Sequence, residues 1–101
     1  MNKITELISV IHDFSEKRNW LKHHNGKDLA LSIVLEAAEL LENFQWISNE
    51  EAYEKNIANI KAELADILIY CFRFADEYDF DIEKIIVDKL KQNEKKYPIG
   101  K

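Results

Sequence analysis

The sequence predicts an all-helical protein, and three observations support this prediction. Only two Gly and one Pro occur in 101 residues, which leaves little material for the turns of a sandwich or barrel. Hydrophobic residues make up 47% of the chain and recur every three or four positions, which is the period of an amphipathic helix. The length is typical of one domain, so residues 1–101 are predicted to form a single domain.

A first helix of about four turns is predicted near the N-terminus. Its apolar residues recur at i, i+3, i+4, i+7 and i+10, and they are Ile4, Leu7, Ile8, Ile11 and Phe14. The basic and polar stretch 17–27 contains Asn25-Gly26 and predicts a loop. Asp28 is the predicted N-cap of a second helix, which is expected to run to about Trp46.

The third and fourth helices are predicted from their first residues. Ser48 and Glu51 have the spacing of a capping box, so the third helix is expected to begin at Ser48. Its apolar pattern continues to about Glu77, which is long for one helix, and we expect a break within 54–59. Asp81 is the predicted cap of a fourth helix, and Pro98 ends it because proline cannot continue a helix.

Charge and composition argue against several classes of protein. The net charge of -5 is opposite to the balance that binds nucleic-acid backbones, so we expect no nucleic-acid partner. The single cysteine, Cys71, excludes a disulfide within the chain. Uncharged stretches reach seven residues, whereas a membrane-spanning helix needs about 20 apolar ones, so we expect no membrane partner. The N-terminus has no signal-peptide pattern, which predicts a cytoplasmic protein.

Two apolar segments each carry a pair of acids three residues apart. Glu36 and Glu39 lie in residues 29–47, which contain no Lys or Arg, and Glu63 and Asp66 lie in residues 62–76. Acids at this spacing share one face of a helix, and Tyr70 and Arg73 lie further along the face of the second pair. Most such pairs are solvated surface, but these are surrounded by aliphatic residues. Burial of carboxylates in such surroundings requires compensation.

If the two helices are antiparallel neighbours, the four carboxylates surround one point. Oxygen ligands without His or Cys suit Mg²⁺, with Mn²⁺ as the alternative. The chain has no Glu-x-x-His motif, which argues against a di-iron bundle. Substrate phosphates normally complete a Mg²⁺ site. Candidate partners for phosphates and for a base are Lys89, Asn93, Lys95, Lys96, Trp20 and Trp46.

These residues, in this order, resemble the all-α nucleoside triphosphate pyrophosphohydrolases of the MazG-like superfamily, particularly its dCTP pyrophosphatase-like branch. The family motif is E-x-x-E, a spacer and E-x-x-D, and here it spans 36–39 and 63–66, separated by 23 residues. The flanking segments LALS at 29–32, FQW at 44–46 and DILIY at 66–70 also match. Trp20 with His24 is similar to a loop motif of the family, and the segment 89–98 resembles its C-terminal motif.

The resemblance implies a four-helix bundle-type MazG-like fold that assembles as a homo-oligomer, either a dimer or a dimer of dimers. It implies that Mg²⁺ is bound by Glu36, Glu39, Glu63 and Asp66. It implies a nucleotide pocket to which His24, Trp46 and Tyr70 contribute, and phosphate contacts from Lys89, Asn93 and Lys96.

The implied reaction is hydrolysis of a nucleoside triphosphate to the monophosphate and pyrophosphate. Its purpose would be to remove noncanonical nucleotides or to control a deoxynucleotide pool. Glu36 or Glu39 would orient or deprotonate the attacking water, and both remain candidates. Two alternatives stay open: a non-catalytic helical oligomer acting as an interaction or regulatory module, and a nucleotide hydrolase that cuts another bond, such as a diphosphatase.

Overall fold

The computed structural model describes residues 2–100, and the regular structure in this range is helical. The elements are α1 (Lys3–Lys17), a short 3₁₀ helix (Leu21–His23), α2 (Gly26–Glu42), α3 (Asn49–Glu77) and α4 (Ile82–Lys96). The predicted all-α fold with four helices is confirmed. None of the helices in residues 2–100 has both the length and the apolar character needed to cross a membrane.

Side-chain caps explain where the helices begin. Ser48 and Asp81 cap α3 and α4 as predicted, and each accepts a hydrogen bond from the backbone N–H three residues further on, at 3.1 Å. The prediction for α2 is wrong by three residues. Asn25 rather than Asp28 is its N-cap, and the Asn25 side chain accepts from the Asp28 N–H at 2.8 Å. Asn and Asp are similarly favourable caps, so the sequence pattern did not separate them.

A buried asparagine closes the corner between α2 and α3. The prediction that α2 reaches Trp46 is wrong, because the helix ends at Glu42 and residues 43–46 form a turn. Asn43 is only 7% exposed, and its two carbonyl oxygens accept hydrogen bonds from the side chains of Asn56 and Asn59, both at 2.8 Å. The backbone of Asn56 is non-helical (φ -114°, ψ 16°), so the break predicted within 54–59 is a kink inside α3.

The four helices do not form a closed bundle within one chain. The α2 and α3 helices pack along each other as a hairpin, α1 packs on α3, and α4 makes only marginal contacts with the others. The radius of gyration is 16.5 Å, compared with about 13 Å for a compact chain of this length. Large apolar residues are therefore left exposed, among them Leu31, Val34, Leu35 and Leu41 on α2 and Ile85, Ile86 and Leu90 on α4.

Candidate active site and metal centre

Three carboxylates meet where α2 packs against α3. Oxygen atoms of Glu36, Glu39 and Glu63 all lie within 4.8 Å of one another. The first two stand on successive turns of α2, and the third faces them from α3. Asp66 lies one turn further along α3, where it is part of the wall of a neighbouring cavity rather than of this three-residue group. The structure thus brings the two predicted acidic pairs to one place.

The charge of this carboxylate cluster (Glu36, Glu39 and Glu63) is not compensated by basic residues. Within residues 2–100, none of these carboxylates forms an ion pair, and Oε2 of Glu36 and Oε2 of Glu63 are buried without a hydrogen-bond partner. A hydrogen bond to Glu39, burial and the like charges nearby raise the pKa of Glu36 to about 7. Burial, reinforced by Glu39 and Asp66, also raises the pKa of Glu63, although Glu36 opposes the shift. Buried anionic oxygens without partners are unfavourable unless a cation binds them.

The donor set of the carboxylate cluster fits a hard divalent cation. Its three members offer only carboxylate oxygens, which are the ligands that Mg²⁺ and Mn²⁺ prefer. A cation bound there would give partners to the two buried oxygens that have none among residues 2–100. The residues that would hold it are Glu36, Glu39 and Glu63, with Asp66 beside them at the cavity wall.

A cavity of about 480 Å³ adjoins the carboxylate cluster, between α1, the 3₁₀ helix, α2 and α3. Glu36 and Asp66 belong to its wall, so the cluster and the cavity are continuous. Much of the remaining wall is apolar or aromatic, and Phe14 meets Trp20 edge to face with ring centroids 5.6 Å apart. Cavities of this size, with few polar groups, are typical of small-molecule sites.

Arg73 lies at the cavity wall and is held by two carboxylates of its own helix. It is 2% exposed; its Nη1 donates to Asp76 at 3.3 Å, and its Nη2 donates to Glu77 at 2.6 Å. Nδ1 of His12, from α1, lies 2.7 Å from the same Asp76 carboxylate, and that hydrogen bond raises the pKa of His12. Nε of Arg73 is buried without a partner in the part of the chain that the structure describes.

His24 supplies a second polar atom to the cavity wall. Its Nδ1 is buried and has no hydrogen-bond partner among the described residues 2–100. Burial lowers the pKa of His24, and the positive charge of Arg73 lowers it further. The imidazole is therefore neutral at pH 7, when one of its ring nitrogens is a donor and the other an acceptor.

Six of the predicted site residues thus lie at the cluster or the cavity: Glu36, Glu39, Glu63, Asp66, His24 and Tyr70. The other four lie away from the cavity of this chain. Trp46 is 96% exposed in the turn after α2, with a left-handed φ of 67°, while Lys89, Asn93 and Lys96 lie on α4. The sequence placed Arg73 on the face of Asp66 but gave it no role; its signal was a lone guanidinium in an apolar run, followed by acids at i+3 and i+4.

The chain is similar to several known proteins. The profile of the MazG-like family matches residues 31–101. Proteins named dCTP pyrophosphatase 1 from Rattus norvegicus and Homo sapiens are 34% and 31% identical to the chain over 93% and 92% of its length. The alignments cover 59% and 58% of those relatives, so the chain spans less than two thirds of their length. The crystal structure of a pyrophosphatase from Archaeoglobus fulgidus, 37% identical, superposes with a TM-score of 0.90 over 97% of this chain and 94% of that one.

Proposed function

The chain belongs to the MazG-like family, and we propose that it is an enzyme that hydrolyses a deoxynucleoside triphosphate to the monophosphate and pyrophosphate in the presence of Mg²⁺. The observation that supports this most directly is the carboxylate cluster, which adjoins, at Glu36, a cavity large enough for a nucleoside. The proposed role is to remove noncanonical nucleotides or to limit a deoxynucleotide pool, and we propose that it acts in the cytoplasm.

Glu36, Glu39 and Glu63 are the proposed ligands of the metal ion, together with Asp66. A Mg²⁺ ion held by these residues would supply Lewis-acid polarisation of the α-phosphate and charge neutralisation on the leaving pyrophosphate. Because the neighbouring acids and burial raise the pKa of Glu36 to about 7, the cluster is partly protonated at neutral pH. The proton is released when a cation binds, since a metal ligand must be deprotonated.

Either Glu36 or Glu39 is proposed to orient or deprotonate the attacking water. In this step the carboxylate takes a proton from the water, and the water oxygen bonds to the α-phosphorus. The bond from the α-phosphorus to the bridging oxygen then breaks, and pyrophosphate leaves. The role is supported by their position, because both residues stand on the face of α2 that meets Glu63 of α3.

The nucleoside is proposed to occupy the cavity, with His24 and Tyr70 in its wall. The wall also provides the rings of Phe14 and Trp20, which suit the faces of a nucleobase. Glu36 and Asp66, which are proposed metal ligands, also lie in the cavity wall. A nucleotide whose nucleoside occupies the cavity therefore has its phosphates near the proposed metal site.

A homo-oligomer, either a dimer or a dimer of dimers, is the proposed assembly. The apolar faces of α2 and α4 are exposed in one chain, and exposed surfaces of this kind mark interaction sites. The proposed nucleotide contacts of Trp46, Lys89, Asn93 and Lys96 also depend on assembly, because these residues lie outside the cavity of a single chain. Light scattering should give two or four times the chain mass of 11.9 kDa; a monomer would contradict the assembly.

The reaction is tested by incubating the protein with a panel of deoxynucleoside and nucleoside triphosphates and Mg²⁺, with and without EDTA. Chromatography should show the monophosphate and pyrophosphate, and EDTA should abolish both. Orthophosphate and a diphosphate as products would instead support a hydrolase that cuts another bond. The absence of turnover on every nucleotide would refute the proposal and favour a non-catalytic helical oligomer.

A further inference from the structure

We propose that Arg73 is a base-reading residue, whose Nε–H donates a hydrogen bond to a carbonyl oxygen of the nucleobase in the cavity. The proposal rests on the function proposed above and extends it to the part of the substrate that selects among nucleotides. Its basis is the geometry of one guanidinium: two of its nitrogens are held by Asp76 and Glu77, and the third is left for a ligand.

The unpaired donor is the first step of the argument. Arg73 is 2% exposed, and its Nε has no partner among residues 2–100, although the side chain belongs to the cavity wall. A buried donor without an acceptor destabilises the fold, so such groups are rare and call for an explanation. An acceptor on a ligand in the cavity removes this penalty whenever the ligand is bound.

The local charge determines what kind of acceptor fits. The single positive charge of Arg73 lies between the carboxylates of Asp76 and Glu77, so it offers a directed N–H without a net positive charge. A phosphate would meet two nearby negative groups at this end of the cavity. A neutral carbonyl oxygen accepts the same hydrogen bond without that repulsion.

The distance between Asp66 and Arg73 along α3 is also consistent with a base at Arg73. Arg73 follows Asp66 by seven residues, which is two turns of helix and about 10.5 Å at 1.5 Å per residue. Both residues belong to the cavity wall, one beside the acidic end and the other two turns away. A nucleotide whose phosphates lie at the carboxylate cluster extends its base in the direction of Arg73.

His12 acts on this donor through Asp76 and is a positioning residue. Nδ1 of His12 and Nη1 of Arg73 both contact Oδ2 of Asp76, at 2.7 Å and 3.3 Å. This chain of contacts links α1 to the guanidinium and restricts its rotation. The guanidinium is thus held in place before the substrate arrives, which reduces the entropy lost on binding.

The test compares Arg73→Lys with the wild-type protein on two substrates. One is the best deoxynucleoside triphosphate of the panel, and the other is 1,2-dideoxyribose 5-triphosphate, which has the sugar and phosphates but no base. Lysine keeps the positive charge and loses the Nε–H. We expect kcat/KM to fall about tenfold on the nucleotide, the upper range of a hydrogen bond without net charge, and to change less than about twofold on the abasic substrate. Equal losses on both would show a structural role and overturn the proposal.

A second arm leaves the protein unchanged, so it does not depend on how well the variant folds. The deoxynucleoside monophosphates are titrated by calorimetry in the presence of Mg²⁺, and the one that binds most tightly is compared with analogues in which one ring carbonyl oxygen at a time is replaced by hydrogen. One of these replacements should weaken binding about tenfold in the wild-type protein and by less than about twofold in Arg73→Lys. If no single carbonyl matters, or if adenine, which has no carbonyl, is the preferred base, the proposal is wrong.

This design separates the failure of the proposal from the failure of the proposed function. If the wild-type protein hydrolyses none of the triphosphates, the proposed reaction is refuted, while the titrations still report whether a base binds at Arg73. If hydrolysis occurs and the titrations show no carbonyl dependence, the reaction stands and the base-reading role of Arg73 fails.

Discussion

Two groups of charged residues lie along α3, and they are built in opposite ways. At the middle of the helix, Glu63 meets two acids of α2, and two of the oxygens are buried without partners among residues 2–100. Toward its C-terminus, Asp76 and Glu77 enclose Arg73, and His12 adds a further contact to Asp76. The first group consists of like charges, whereas the second alternates in sign.

The difference shows which of the two groups has its charges compensated by the protein and which requires a cation. An anionic group that is half buried and has no cation weakens the fold, and proteins retain such an arrangement where function requires it. An alternating group gives every carboxylate a partner and fixes α1 to α3 through His12 and Asp76. Substitutions should therefore have opposite effects on stability in the two groups.

The largest effect is expected from removing one charge of the carboxylate cluster. Glu36→Gln or Glu63→Gln should reduce turnover about 1000-fold, which corresponds to about 4 kcal/mol in the barrier, because a metal ligand is lost. Each variant should also melt at a higher temperature than the metal-free wild-type protein, since repulsion between like charges is reduced. The measurements are steady-state hydrolysis and thermal melting in EDTA.

Glu42→Gln is the matched control for these variants. Glu42 is exposed at the end of α2, outside the cluster, and the substitution makes the same chemical change. It should alter neither turnover nor melting temperature appreciably. If Glu63→Gln retained full activity, or if all three variants behaved alike, the cluster would have no special role.

A substitution in the alternating group should reduce stability instead. Asp76→Ala removes one of the two carboxylates that hold the buried Arg73 and also removes the partner of His12. We expect a loss of about 2–3 kcal/mol in the free energy of unfolding, somewhat below the usual range for a broken buried pair because Glu77 remains. Urea denaturation measures this loss.

The control for Asp76→Ala is Asp88→Ala. Asp88 pairs with Lys84 at 2.8 Å on the exposed face of α4, and exposed pairs of this kind contribute about 0.5 kcal/mol or less. Equal losses in the two variants would mean that the buried network has no more importance than a surface ion pair.

Most of the fold was predictable because its signals are local. Apolar periodicity and the side-chain caps at Ser48 and Asp81 depend on residues within a few positions of each other, and both caps formed as predicted. The end of α2 was not predictable, because it depends on side-chain amides of Asn56 and Asn59 that reach Asn43 from 13 and 16 residues away.

The candidate site was predictable to a similar extent. Acids at i and i+3 in apolar helices identified the carboxylates, because their spacing and the absence of nearby basic residues are visible in the sequence. The sequence pattern did not distinguish Glu63 from Asp66 as metal ligands. Only the packing of α2 on α3 shows that Glu63 lies in the cluster and Asp66 at the cavity wall. The network at Arg73 depends on His12, which is 64 residues from Asp76 and has no sequence signal pointing to it.

The smallest expected effect is on the pH dependence of stability, to which both groups contribute. In the cluster, the folded protein holds the proton of Glu36 up to a pKa of about 7, whereas the unfolded chain loses it near 4.5. Between these values the folded state binds more protons, so metal-free stability falls as pH rises. In the alternating group, the hydrogen bond to Asp76 raises the pKa of His12, so its contribution is complete below pH 6.5 and is lost as pH rises through the folded value.

Both groups therefore make the metal-free protein less stable as pH rises, and variants are needed to separate their contributions. Glu36 and His12 are both partly exposed, so solvent screening reduces their contributions. Melting between pH 5 and 8 should therefore show a fall of a few degrees, which Glu36→Gln and His12→Asn should each reduce in part. Saturating Mg²⁺ should reverse the contribution of the cluster, because the ion binds only the ionised carboxylates, and should leave that of His12 unchanged. If Mg²⁺ altered neither the melting temperature nor its pH dependence, the cluster would not be a cation site, and the two groups would differ in charge pattern without differing in function.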